Sequence, residues 1–422
     1  MVGLRINAER LLSRLDDFAR LGATVGGGVN RPALGPEDRQ ARRLLADLGR
    51  ARGFAVAQDA IANLFLLRSG GASGAPFLIG SHLDSQPTGG RFDGALGTLT
   101  AFEVLEALED AGVATSMPIE LVSWTNEEGS RFAPGAMGSQ AFALGAIPED
   151  WQAILARDGA PLTGELEATL AALADVPLRP LGQPIAGYLE LHIEQGPSLE
   201  AAGIPIGAVT GVQGTRWLEV VMEGAVAHAG TTAATFRRDP VVAAVSAIHA
   251  LSSVMAEDPE ARLTVGRLEV TPGSVNTIAG RVAFSVDLRH RDLDRLVALE
   301  QTVRTACEAF ASDNRCLCQI TRTLDLPPVS FDERLVDLVE QAAGNLGKPV
   351  RRLTSGAFHD ALFIARLAPA AMIFVPCRNG VSHSEAEYVE PEHVIAGAQT
   401  LLEATLLATG TSVIAPSRPS TR

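Results

Sequence analysis

Three short apolar runs, PFLIGSHLD, IELVSWTNEEG and YLELHIEQG, constrain this chain most, because each reads as a buried strand whose last residues turn polar. From Ala75 to Val209 such runs alternate with longer helical ones, the pattern of an α/β fold with a parallel or mixed sheet covered by helices. In open α/β sheets ligands gather at the carboxyl ends of strands. The three runs are therefore expected to deliver His82, Glu127, Glu128 and His192 to one edge of one sheet, with His383 following the later run AAMIFVPC.

The pattern changes after Gly211. TRWLEVVMEG alternates, Pro240 to Met255 is helix-like, and ARLTVGRLEV and VAFSVDLRH are strand-like. A helix from Leu293 to Ala311 and a strand from Cys316 to Thr323 follow, giving the order β, α, β, β, α, β. This predicts a smaller α+β domain over 211–326, with two helices on a four-stranded antiparallel sheet, inserted into a first domain made of 1–210 and 327–412. The terminal SVIAPSRPSTR is expected to be loose.

At 422 residues the length suits about two or three domains, and 46% hydrophobic content is ordinary for a folded protein. The formal charge of −14, with no basic block, argues against nucleic acid and anionic membrane as partners. The longest uncharged stretch, Val241 to Ala256, is shorter than the roughly 18 residues of a membrane span, and the charged N-terminal segment lacks the apolar core of a signal peptide. Cys307, Cys316, Cys318 and Cys377 show no disulfide-framework spacing. A cytoplasmic protein with reduced thiols is expected.

The polar strand ends have the composition of a metal site. In SHLDSQPTGGRFDGALG, the glycine-rich TGGRF can fold back so that Asp93 approaches the ion that His82 would hold, while Asp84 suits a carboxylate that orients the His82 ring. Taken alone, HxD is weak, and a solvated turn explains it better. Two adjacent carboxylates, Glu127 and Glu128, are costly at a buried edge unless a cation or a shared proton compensates. One can bind metal while its neighbour holds water, the division of labour that metal-assisted hydrolysis needs.

The segments GSHLDSQPTGGRFDGALG, WTNEEGSRF, LELHIEQGP, HAGTT, SVNTIAGRVAFSVDLRH and IFVPCRNGVSHS resemble, in order and spacing, amidohydrolases of the M20 metallopeptidase superfamily. HIEQG with HAGTT narrows the resemblance to the branch of N-carbamoyl-L-amino-acid hydrolases and allantoate amidohydrolases. It covers nearly the whole chain. It implies a di-metal catalytic domain and an inserted lid and dimerisation domain, with two divalent ions (Zn, Mn, Co or Ni) per subunit. Asp93 would bridge them, His82 and His192 completing one site and Glu128 and His383 the other. Glu127 would be the general base and then acid, and Asp84 would support His82. The substrate positions map onto Gln195, Gln213, His228, Asn276, Arg289, Gly356 and Ala357. A guanidinium at Arg289 would fork onto an α-carboxylate. His228 would stabilise the oxyanion from the partner subunit of a homodimer.

The implied reaction is hydrolysis of the ureido C–N bond of an N-carbamoyl-L-amino acid to amino acid, ammonia and carbon dioxide. Hydrolysis of allantoate, ureidoglycolate or a β-ureido acid is the alternative within the class, and a catalytically dead metal-binding assembly protein is the alternative outside it. The chain departs from the branch at Phe358, where Gly is common, and in HAGTTAA, which lacks the Pro-Met that often follows HAGTT.

Overall fold

The computed structural model describes residues 4–253 and 258–412, so the tail SVIAPSRPSTR lies almost wholly outside the described residues. The chain forms two compact units, one of Met1–Thr210 with Ser330–Arg422, the other of Gly211–Val329. Residue 326, where the sequence pattern ends the insert, falls just inside the second unit.

In chain order the first unit supplies β1 (Ala55–Gln58), β2 (Leu64–Arg68), β3 (Phe77–His82), β4 (Ile119–Trp124), β5 (Gly187–Ile193) and β6 (Ile206–Val212). The second supplies β7 (Gly214–Glu223), β8 (Arg262–Thr264), β9 (Leu268–Thr271), β10 (Arg281–His290) and β11 (Leu317–Leu326). After β12 (Val329–Ser330) the returning chain adds β13 (Val350–Ser355) and β14 (Ala370–Val375).

The first unit is built on a nine-stranded mixed sheet ordered β1-β2-β4-β3-β5-β14-β6-β12, with β13 also on β6. Its four central strands, β4, β3, β5 and β14, are parallel. They are buried at every position, which is why they read as continuous apolar runs rather than alternating ones. Parallelism brings their carboxyl ends to one edge. The helix α1 (Ala95–Asp110) is buried from Ala95 to Leu108. Its two buried acids, Glu103 and Glu106, are met by Arg10 and Arg14 of the N-terminal helix, with Arg10 Nε 2.7 Å from Glu103 Oε2. Buried carboxylates in such a helix are tolerable only with partners of this kind.

The second unit has a five-stranded antiparallel sheet, ordered β8-β10-β7-β11 with β9 also on β10. Two helices, α2 (Pro240–Ser252) and α3 (Leu293–Asp313), bury Ala243, Ala247, Leu296 and Val303 with Leu218, Val220 and Phe284 of the sheet in one apolar cluster. The expected end of α2 at Met255 lies outside the described residues. The sheet differs from expectation in one strand. ARLTVGRLEV is broken into β8 and β9 around Gly266, where the Ser285 amide donates to the Arg267 carbonyl and keeps both pieces on β10. A glycine inside a strand pattern marks an interruption of this kind. A separate two-stranded ribbon pairs Ala227–His228 with Thr277–Ile278.

Candidate metal centre

His82 is the last residue of β3, and its Nδ1 lies 2.9 Å from the Asp84 carbonyl oxygen. His192, in β5, places Nδ1 2.9 Å from the Ile193 carbonyl oxygen. A carbonyl only accepts, so each Nδ1 carries the proton and each Nε2 presents a lone pair. Both Nε2 atoms are buried without a hydrogen-bond partner, and both face Asp93 Oδ1, at 3.7 Å from His82 and 3.0 Å from His192. Two lone pairs directed at a carboxylate oxygen, all out of water, call for a cation among them.

The other oxygen of Asp93 faces a second group. Asp93 Oδ2 lies 3.5 Å from His383 Nε2, which lies 3.4 Å from Glu128 Oε2. The donor atoms of His82, Asp93 and His192, and those of Asp93, Glu128 and His383, can each lie within 4.8 Å of one another. The donor set is oxygen and imidazole nitrogen without sulfur, which suits a divalent ion such as Zn, Mn, Co or Ni. His383 is the most accessible of the five, with 49% of its side chain exposed. A third group, Glu190, His192 and His359, is as closely spaced, but His359 Nε2 is engaged with Ser355 Oγ at 2.9 Å.

Glu127 lies beside the first group without belonging to either, its Oε2 3.5 Å from His82 Nε2. Burial, then the nearby carboxylates Asp360, Glu128 and Asp93, push its pKa well above the usual carboxylate range. Burial, with Asp93 and Asp84, does the same to Glu128. Asp93 goes the other way: burial would raise its pKa, but the imidazoles, His192 first, overcome it. Burial lowers His82 to about 4, whereas Asp93 carries His192 past the burial penalty to about 9. A proton held on His192 and a cation between His192 and Asp93 answer the same electrostatic demand, so the ion would displace that proton.

The role expected of Asp84 is divided between two of its groups. Its carbonyl holds the His82 ring, while its carboxylate, 3.7 Å from Nδ1, accepts from the amides of Glu127 at 3.3 Å and Glu128 at 3.2 Å. Asp84 thus ties the end of β3 to the turn after β4. Gln195 donates to Asp93 Oδ2 at 2.8 Å. Gln195 and His383, together with Asn126 before Glu127, have positive φ of 54° to 55°, and left-handed backbone at three non-glycine residues is concentrated around this edge. Gly356 and Ala357 lie in the turn after β13, where the Ala357 amide donates to Ser355 Oγ.

In the second unit His228 and Asn276 meet on the ribbon: Thr277 pairs with His228, and the Ala229 amide donates to the Asn276 carbonyl. Arg289 lies in β10 opposite Thr215 of β7, with its guanidinium on Asp287 at 2.8 Å. Gln213 joins β6 to β7. His290 is buried 3.4 Å from Asp258, a structural pairing apart from these residues.

Three contributors escape the sequence pattern. Gln86 grips Glu128 with both its amide, at 3.1 Å, and its side chain, at 2.7 Å. Glu387 accepts the amides of Phe92 at 2.9 Å and Asp93 at 3.0 Å. His359 packs its ring 4.5 Å from that of His192. Gln86 and Glu387 sit within the two ligand segments SHLDSQP and SHSEAEY, and that proximity was the only available signal.

The profile of peptidase family M20/M25/M40 matches residues 78–406. An N-carbamoyl-L-amino-acid amidohydrolase of Rhizobium meliloti is 38% identical, over 95% of this chain and 96% of its own. An allantoate amidohydrolase of Bacillus subtilis is 34% identical, over 92% of this chain and 94% of its own. A crystal structure of an amidase of the hydantoinase/carbamoylase family from Burkholderia multivorans superposes with a TM-score of 0.91 at 41% identity, covering 96% of this chain and 98% of that one.

Proposed function

Since the chain belongs to peptidase family M20/M25/M40, a metal-dependent family, we propose that it hydrolyses the ureido C–N bond of N-carbamoyl-L-amino acids, yielding the amino acid, ammonia and carbon dioxide. One observation carries the reading: a buried acid, Glu127, stands 3.5 Å from His82 yet belongs to neither ligand group. A site built only to bind metal has no use for such an acid, whereas hydrolysis requires a base that is not a ligand.

His82, Asp93 and His192 would hold one divalent ion, and Asp93, Glu128 and His383 a second. Bound there, the ions supply Lewis acidity toward the ureido oxygen and lower the pKa of water. Glu127 takes the proton from the attacking water and returns it to the leaving nitrogen. Its raised proton affinity suits that second task. Asp84 fixes the peptides of Glu127 and Glu128, and Gln86 orients the Glu128 carboxylate. His228 supplies the hydrogen bond to the developing oxyanion from a partner subunit, with Asn276 and Gln195 as further substrate contacts and Gln213, Gly356 and Ala357 at the substrate's margin. Arg289 binds the α-carboxylate by exchanging Asp287 for it, a like-for-like replacement of one carboxylate by another. A homodimer formed through the second unit and a cytoplasmic location belong to the same proposal. Among the described residues no helix is long and apolar enough to cross a membrane.

The test is ammonia release from N-carbamoyl-L-amino acids, their D-isomers, N-carbamoyl-β-alanine, allantoate and an N-acyl amino acid, with metal analysis of the same samples. Glu127→Gln is expected to lose at least about a thousandfold in kcat while retaining metal, and Asp93→Ala to lose metal and turnover together. Near-normal turnover by Glu127→Gln overturns the assignment.

A further inference from the structure

Beside this centre stands one aromatic side chain whose setting the hydrolytic chemistry leaves unexplained. Phe358 is 39% exposed, whereas every other described aromatic residue of the first unit is buried or half-buried. It is not on a loose loop. Ser355 Oγ bonds the backbone of Ala357 and, at 2.9 Å, the ring of His359, and the His359 ring is wedged between His192 at 4.5 Å and Phe374 at 5.6 Å. The residues flanking Phe358 are therefore fixed while its ring stays half in water.

The tip of that ring lies against Gly135, whose neighbour Ala136 donates its amide to the Glu127 carbonyl. A Cβ placed on Gly135 would come within 2.9 Å of Phe358 Cζ and 2.5 Å of the Glu127 carbonyl oxygen, so only a residue without a side chain there leaves room for both. Phe358 thus holds an apolar surface in place between the Glu127 turn and the partner of His192. The groups of the neighbouring metal centre are otherwise carboxylates, imidazoles and amides. An immobilised, partly exposed ring presented there recovers hydration free energy only when something apolar covers it.

We propose that Phe358 is a specificity-determining residue that receives the amino-acid side chain, directing this enzyme to N-carbamoyl-L-amino acids with apolar side chains such as leucine or phenylalanine. The inference rests on the amidohydrolase reading and narrows it. Allantoate presents a second ureido group to the ring and gains nothing from it, and N-carbamoylglycine offers no side chain at all.

Steady-state kinetics on N-carbamoyl-L-leucine, N-carbamoyl-L-phenylalanine, N-carbamoylglycine and allantoate, using the metal-loaded enzyme, test it. The wild-type kcat/KM is expected to favour leucine over glycine by at least about tenfold, the size of a modest apolar contact in a pocket. Phe358→Ala, and Phe358→Gln with its comparable bulk, should each lower that ratio about tenfold, chiefly through KM for the leucine substrate. Phe358→Leu should largely keep it. A ratio unchanged within about twofold in both Phe358→Ala and Phe358→Gln overturns the proposal, as does a wild-type preference for N-carbamoylglycine or allantoate. Wild-type enzyme that releases ammonia from no member of the panel instead overturns the amidohydrolase reading itself.

Discussion

Gly94 illustrates how tightly single residues are constrained around the ligands. It has φ of +63°, and a Cβ there would lie 2.3 Å from the His82 ring, against both backbone preference and space. Gly94→Ala is accordingly expected to displace the imidazole, costing at least about tenfold in metal affinity and more than about 1 kcal/mol in stability. Metal titration and urea unfolding would check this, and a variant with wild-type metal affinity would refute it. At this scale the sequence was most legible where residue type and strand end coincide, at His82, Glu127, Glu128 and His192. It was least legible where a side chain works by holding backbone. Glu387 accepts two peptide amides and Gln86 grips a neighbouring carboxylate, and neither task leaves a spacing rule. For Asp84 the sequence identified the residue and misassigned the atom, because HxD does not distinguish a carbonyl from a carboxylate as the group that orients the ring.

At the scale of elements, the central strands were legible because burial on both faces leaves an uninterrupted apolar signature, with the break to polar residues marking the strand end. The break between β8 and β9 was harder to foresee, since ARLTVGRLEV carries a strand-like composition throughout and only Gly266 marks the interruption. Helix boundaries followed local chemistry more closely. Asp239 begins α2 by accepting from the amides of Val241 and Val242, with Pro240 in the first turn. Asp239→Ala should cost about 1 kcal/mol of stability in chemical denaturation. A loss below a few tenths of a kcal/mol would mean that packing of Ala243 and Ala247 against the sheet, rather than the cap, fixes where α2 starts.

For the whole molecule, the electrostatics of the centre set how stability depends on pH when divalent ions are removed. Burial raises the pKa of Asp84 to about 7 and that of Glu387 to about 8, and Asp93 raises that of His192 to about 9. Each group holds its proton more tightly folded than unfolded, so its stabilisation is lost as pH rises through the folded value. His82, lowered to about 4, opposes this trend only below its ordinary value of 6.5. Asp84 acts between about pH 4 and 7, Glu387 between 4.5 and about 8 and His192 between 6.5 and about 9, so above pH 7 Glu387 and then His192 carry the slope, at up to about 1.4 kcal/mol per pH unit for each proton involved. Thermal unfolding in chelator should therefore show Tm falling from pH 7 to pH 9, with added Zn or Mn flattening the slope, and a Tm that rises over this interval would contradict the assignment. The strand order of the main sheet could not be read from the sequence, because β14 enters between β5 and β6 from more than 150 residues further along the chain. That insertion has a consequence for synthesis. Until residue 375 has left the ribosome, β5 and β6 have no strand between them, and the ligand set is incomplete until His383 follows. A nascent chain therefore carries two unpaired strand edges from the emergence of β6 until that of β14, more than 150 residues later, and metal capture must wait for His383.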